Sequence, residues 1–161
     1  MGKSFSMKDL EPLIRETLEK GFTFTLMPRG TSMLPLIREG LDSVILSPLP
    51  EDIRPGDVIL YKRDDGKFVL HRVIKKVNDT YTMCGDNQVL LEKGIMRSHM
   101  IAVATGIIRD GEETAFSENE EYALYTKKIV REKISKNRFT VPKRAVKKLL
   151  KKLHIIKKRK A

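Results

Sequence analysis

Between Phe22 and Ile108 the apolar residues come in short runs, and turn-forming residues close nearly every run. Phe22-Thr23-Phe24-Thr25-Leu26 alternates with a period of two, as a half-buried strand does. Ser43-Val44-Ile45-Leu46 and Val58-Ile59-Leu60-Tyr61 are continuous apolar runs of strand length. Pro48, Pro50 and Pro55 mark the loop between them, and Gly56-Asp57 closes it. Asp64-Asp65-Gly66 predicts a tight hairpin turn whose return strand is Lys67 to Ile74. Asn78-Asp79 predicts a second turn before the strand Thr80 to Cys84. Gly85-Asp86-Asn87-Gln88 is a polar loop, and Met100 to Ile108 reads as a last strand. Short strands with this punctuation predict a mostly-β fold, a compact, coiled, barrel-like sheet.

Both ends of the chain have a different rhythm. Leu10, Leu13, Ile14 and Leu18 recur at helical spacing, with Asp9 as the expected N-cap, Pro12 in the first turn and Gly21 as the stop. Past Gly111, Ser117 and Glu120 have the spacing of a capping box, and Tyr122, Tyr125 and Ile129 fall on one face of the helix that follows. The stretch from Asn137 to Pro142 interrupts that helix. Thr140 then caps a second one, in which Val146, Leu149, Leu150 and Leu153 form a stripe among Lys143, Arg144, Lys147, Lys148, Lys151 and Lys152. Three parts are expected: an amphipathic helix in 1–21, a β domain in 22–112 and a basic helical extension in 113–161.

Composition narrows the functional classes. A chain of 161 residues is long enough for one domain with a real core. Its one cysteine, Cys84, rules out an internal disulfide and is expected to be buried and inert. Three histidines and no C-x-x-C argue against a structural zinc site, and no cofactor or metal is expected. No apolar run approaches the ~18–20 residues of a membrane span, and the charged N-terminal stretch does not read as a signal peptide. A cytoplasmic protein is expected, with membrane contact only at a surface. Thirteen of the 32 Lys/Arg lie in 133–161, which has no Asp or Glu; the other 19 against 21 acidic residues leave 1–132 at a net −2. The basic segment Lys143–Lys160 has three readings. It packs its apolar stripe on the body, lies on an anionic membrane, or binds nucleic acid, the last disfavoured by its shortage of aromatics.

Thr31-Ser32-Met33-Leu34-Pro35 raises the question of chemistry. A serine hydroxyl is a poor nucleophile until a base is held within hydrogen-bond reach. His71, in Leu70-His71-Arg72-Val73-Ile74, is the best base on offer, since imidazole accepts a proton near neutral pH. Asp86 could orient His71, and Glu92, six residues on, is the alternative acid. Each residue also has a plain reading: Ser32 and Asp86 as turn residues, Glu92 as a solvated acid, Asp57 as a turn entering a strand, Arg72 as the partner of a nearby carboxylate. Met33 fits the wall of a cleft or the core equally well. Ala102-Val103-Ala104 is read as core strand.

Taken together, G-T-S-M-L-P, P-G-D-V-I-L-Y, H-R-V-I and G-D-N, in this order, resemble the S24/S26 peptidase superfamily, which joins type I signal peptidases to LexA-like self-cleaving repressors. The likeness runs from about Phe22 to Ile108. The histidine points to the endoplasmic-reticulum, archaeal and sporulation-type signal peptidases, since the other branches use lysine. The resemblance implies a serine endopeptidase with Ser32 as nucleophile and His71 as general base, acting through an acyl-enzyme on an extended peptide. Three features depart from the family. An amphipathic helix stands where its signal peptidases have a membrane anchor. Val89-Leu90-Leu91-Glu92 occupies the place of its catalytic aspartate. Gly30 stands where some relatives have a hydroxyl for the oxyanion, leaving main-chain N–H groups around Thr31 and Ser32, with Met33 beside them, to line that part of the site. The competing expectation is a non-catalytic binding module of the same fold, recruited by its basic tail.

Overall fold

In a computed structural model, which describes residues 6–138, the chain forms one antiparallel sheet flanked by two helices. The elements run α1 (Met7–Glu19), β1 (Phe24–Leu26), β2 (Ser43–Ser47), β3 (Val58–Lys62), β4 (Phe68–Val77), β5 (Thr80–Cys84), β6 (Glu92–Met96), β7 (Met100–Arg109), β8 (Glu112–Ala115) and α2 (Glu120–Arg138). The strand order is β1-β2-β7-β3-β4-β5-β6, with β8 also paired to β7. Among the described residues, β1 and β6 remain edges, so the sheet does not close into the barrel that the punctuation suggested. The expected basic helix after Thr140 lies outside the described residues. No helix among the described residues is long and apolar enough to cross a membrane.

The continuous apolar runs have a physical reason: β3 and β7 are covered on both faces. Val58 and Leu60 enter one cluster with Ile14 and Leu18 of α1, Val44, Leu46, Leu70, Ala102 and Ala104. Ile59, Tyr61 and Val103 enter a second with Ile53, Val73, Tyr81, Met83 and Met100. Alternate residues thus serve opposite cores, and neither face can be polar. Ala102-Val103-Ala104 is buried core.

β4 changes partners along its length. Phe68 to Arg72 pair with β3, whereas Arg72 to Val77 pair with β5. Among the described residues, the first half of β4 therefore has an edge with no strand on it. The register sets His71 opposite Ile59 and Arg72 opposite Val58, so the two neighbours face different cores.

The helix starts differ from expectation. Ser6, not Asp9, caps α1; Asp9 is its capping-box partner and donor target, three residues on. Pro12 consequently sits past the first turn, inside the helix. Gly21 ends the helix as expected, at φ +80°. At α2 the cap is Asn119, whose Oδ1 accepts from the Tyr122 N–H at 2.8 Å; Ser117 lies in a short 3-10 turn before it. β6 and β8 were not expected at all. Each is short, and Gly94 interrupts the pattern of one while the other is rich in glutamate and threonine.

Candidate active site

The segment after β1 is irregular and held at several points. Met33 and Ile37 are buried in the α1-side cluster, which anchors the loop from below. The Ile37 N–H donates to the Met33 carbonyl at 3.0 Å, and Gly30 takes φ +95°, a conformation that suits glycine. The Gly30 N–H donates to Glu39 at 2.6 Å. From the other side, the loop after β5 closes on Ser32. The Asn87 N–H donates to the Ser32 carbonyl at 2.8 Å, and Asn87 Nδ2 donates to the Thr31 carbonyl at 3.2 Å. Gly85 lies so near that a Cβ there would be 2.6 Å from the Ser32 carbonyl oxygen. The G-D-N loop thus contacts the Thr31-Ser32 segment directly.

Ser32 and His71 line the same cavity, about 220 Å³, with Gly30, Met33, Arg63 and Phe68. No hydrogen bond joins the two side chains among the described residues. Catalytic hydrogen bonds are commonly long in enzymes without substrate, so shared access to the cavity is the relevant geometry.

His71 is only 4 % exposed. Its Nδ1 lies 3.3 Å from the Tyr61 hydroxyl, and that hydroxyl donates to Glu92 Oε2 at 2.8 Å. Tyr61 has one proton, and Glu92 takes it. The tyrosine oxygen is then free to accept from Nδ1–H, which assigns the Nδ1–H tautomer and leaves Nε2 with a lone pair. Arg63 holds Glu92 from the far side, at 2.7 and 2.5 Å. Burial pushes the Glu92 carboxyl up, but Arg63 and the Tyr61 hydroxyl outweigh it and hold it below its ordinary value. Burial, then Glu92, pushes the Tyr61 phenol far up, so it stays a donor. Burial first, and Arg63 second, lower His71 to about 4. The imidazole is therefore neutral near pH 7, as a general base must be.

Asp86 is engaged elsewhere. Both its oxygens accept from Arg72, at 2.8 and 2.7 Å, with both side chains fully buried. Tyr125 donates to Asp86 Oδ2 at 3.0 Å. Among the described residues no hydrogen bond joins Asp86 to His71. Glu92 is the carboxylate that reaches His71, and it does so through Tyr61. Thr31 is exposed and lies outside the cavity lining, and Met33 serves both readings, lining the cavity and filling the core. Cys84 is buried. His99 lies apart from His71's network, bonded to Asp64 and to the Met96 N–H.

Sequence reasoning missed Tyr61 and Arg63. A signal was present. Once the Asp64-Asp65-Gly66 hairpin fixes the register, His71 faces Ile59, and Tyr61, two residues on, shares its face. Two wider hollows adjoin the cavity. One, about 720 Å³, runs under α1 between Leu10, Phe24, Leu26, Leu60, Phe68 and Leu70. The other, about 680 Å³, lies beside His71 and Glu92 and is bordered by Val89, Leu90 and Leu91. No protein-family model, curated protein or solved structure matches this chain.

Proposed function

We propose that this chain is a serine endopeptidase that cleaves extended peptides with a Ser32–His71 pair, supported by Tyr61 and Glu92. One observation carries the reading. Ser32 and a neutral His71 open onto one cavity, while the Nδ1 side of His71 is taken up by the Tyr61–Glu92–Arg63 chain. His71 Nε2 takes the Ser32 proton as Oγ attacks the peptide carbonyl. Main-chain N–H groups around Thr31 and Ser32 face the oxyanion. The imidazolium returns the proton to the leaving amine, giving the acyl-enzyme, and a water activated by Nε2 then releases the acid. Glu92, through Tyr61, favours the imidazolium that forms in each step. Glu92 suits the orienting role better than Asp86, whose oxygens are already committed to Arg72.

The substrate joins as a strand. The unpaired edge of β4, from Phe68 to His71, leads to the cavity, and the apolar hollow under α1 continues from it through Phe68 and Leu70. Residues next to the cut would be small, to fit a cavity of about 220 Å³. The basic segment Lys143–Lys160 would hold a cytoplasmic enzyme against an anionic membrane surface.

The test is a diverse peptide mixture read by mass spectrometry, incubated with wild type, Ser32→Ala and His71→Ala, with and without anionic vesicles. Cleavage by wild type alone is the expected result. The β4 edge from Phe68 to His71, which carries no strand among the described residues, equally favours a second reading, a peptide-binding module. It predicts no cleavage and peptide affinity that Ser32→Ala leaves unchanged.

A further inference from the structure

Helix α2 reaches the loop at 85–88, which borders the candidate site, with polar groups. Lys133 Nζ donates to the Asp86 carbonyl at 2.9 Å and also to the Gln88 carbonyl. Tyr125 donates to the Asp86 carboxylate at 3.0 Å. Thr126 and Tyr122 accept from Arg72 Nη1, at 3.0 and 3.3 Å, beside the Gly56 carbonyl at 2.8 Å. The Arg72 guanidinium also lies 5.6 Å from the centres of both tyrosine rings. Apolar packing secures the start of this helix, where the Tyr122 ring stacks on Phe116 at 3.9 Å between centres and packs against the α1-side core, whereas Leu124 is 67 % exposed and Ile134 is 40 % exposed. Beyond Tyr122, polar bonds to the loop and to the Arg72–Asp86 pair join it to the body.

The same loop reaches Ser32 on its other side. Asn87 binds the Ser32 and Thr31 carbonyls, and Gly85 lies against the Ser32 main chain. A continuous path of short contacts runs from α2, through residues 85–88, to the nucleophile segment. We propose that Tyr125 and Lys133 are positioning residues for Ser32, fixing the loop that fixes the nucleophile. The proposal rests on the peptidase reading for its effect on rate, but not for its effect on the loop. A misplacement of ~1 Å in a reacting group can cost ~10²-fold in rate, so loosening one clamp is enough to be seen.

Two measurements on the full chain test it. The first is amide hydrogen exchange by NMR, following the Asn87 N–H that bonds to Ser32. The second is kcat and KM on a peptide identified by the mixture assay, with the rate at which a fluorophosphonate labels Ser32. The variants are Tyr125→Phe, Lys133→Met and Lys133→Arg, with Lys128→Met on the exposed side of α2 as control. We expect faster Asn87 exchange in Tyr125→Phe and Lys133→Met, with strand β3 amides unchanged. We expect kcat and labelling to fall ~10-fold with KM held, Lys133→Arg to recover part of the loss, and Lys128→Met to match wild type. Unchanged Asn87 exchange overturns the proposal. So does faster exchange with kcat unaltered. If wild type neither cleaves nor is labelled, the peptidase reading falls, and Asn87 exchange alone decides whether α2 clamps the loop.

Discussion

Replacing Tyr61 by phenylalanine removes one oxygen from the middle of the His71–Tyr61–Glu92 chain and leaves the ring in place. The side chain is fully buried, so water does not take over the vacated position easily. Glu92 keeps both bonds to Arg63 and stays ionised. His71 Nδ1–H loses its acceptor at 3.3 Å, inside a site where the imidazole is 4 % exposed. A buried donor left unsatisfied costs ~1–3 kcal/mol, and the cost grows when the ring becomes an imidazolium. Loss of ~1.4–2.7 kcal/mol of transition-state stabilisation is a ~10–100-fold fall in rate. The fall should appear in kcat and kcat/KM alike, since Tyr61 does not line the cavity shared by Ser32 and His71. The assay is steady-state cleavage of a preferred peptide, paired with 15N NMR of the His71 ring to read its tautomer. Wild type should show protonated Nδ1 and free Nε2; Tyr61→Phe should show a mixture. Unchanged kcat/KM together with an unchanged tautomer would refute the relay and the role given to Glu92.

Other consequences are open to the same kind of check. Because His71 is lowered from 6.5 to about 4, its base form is complete above roughly pH 5, and the acid limb of kcat/KM should lie near pH 4. The same shift ties stability to pH: the unfolded chain takes up the His71 proton first, so stability is full above pH 6.5 and falls as pH drops toward 4. That loss is at most ~3 kcal/mol, and urea titrations of wild type against His71→Gln should show it. Arg72→Met should cost ~3–5 kcal/mol by stranding the buried Asp86, and adding Asp86→Leu should recover much of it, read by the same titrations. Gly85→Ala should push the Ser32 main chain aside, lowering fluorophosphonate labelling more than tenfold and stability by ~1–3 kcal/mol.

The β body was legible because its signals are local. Each of β2, β3, β4, β5 and β7 is an apolar run between turn residues, and those runs survive into the structure within a few residues. β6 and β8 were illegible because long-range pairing, not composition, makes them strands: Glu92 to Met96 has a partner in β5, and Glu112 to Ala115 in β7. The caps slipped for a local reason. Ser6 and Asn119 compete with Asp9 and Ser117 for the same role, and spacing alone does not rank them. At the site, Ser32 and His71 stood out by residue type, and the structure puts them on one cavity. The division between Asp86 and Glu92 was not readable. It depends on Arg72 and His71 pointing to opposite faces of β4, and so on a register that a linear chain does not display.

Ser32 and His71 belong to different halves of the interior. The Ser32 loop is rooted by Met33 and Ile37 in the cluster beneath α1, while His71 shares its face of the sheet with Tyr61, which belongs to the opposite cluster. On the peptidase reading, catalysis therefore works as a coincidence detector for folding. A chain that has consolidated only one side of its sheet holds half a machine, with either an undirected serine or an unsupplied base. Proteolytic competence would arrive last, after both sides have set, which keeps a nascent molecule harmless to its neighbours and to itself.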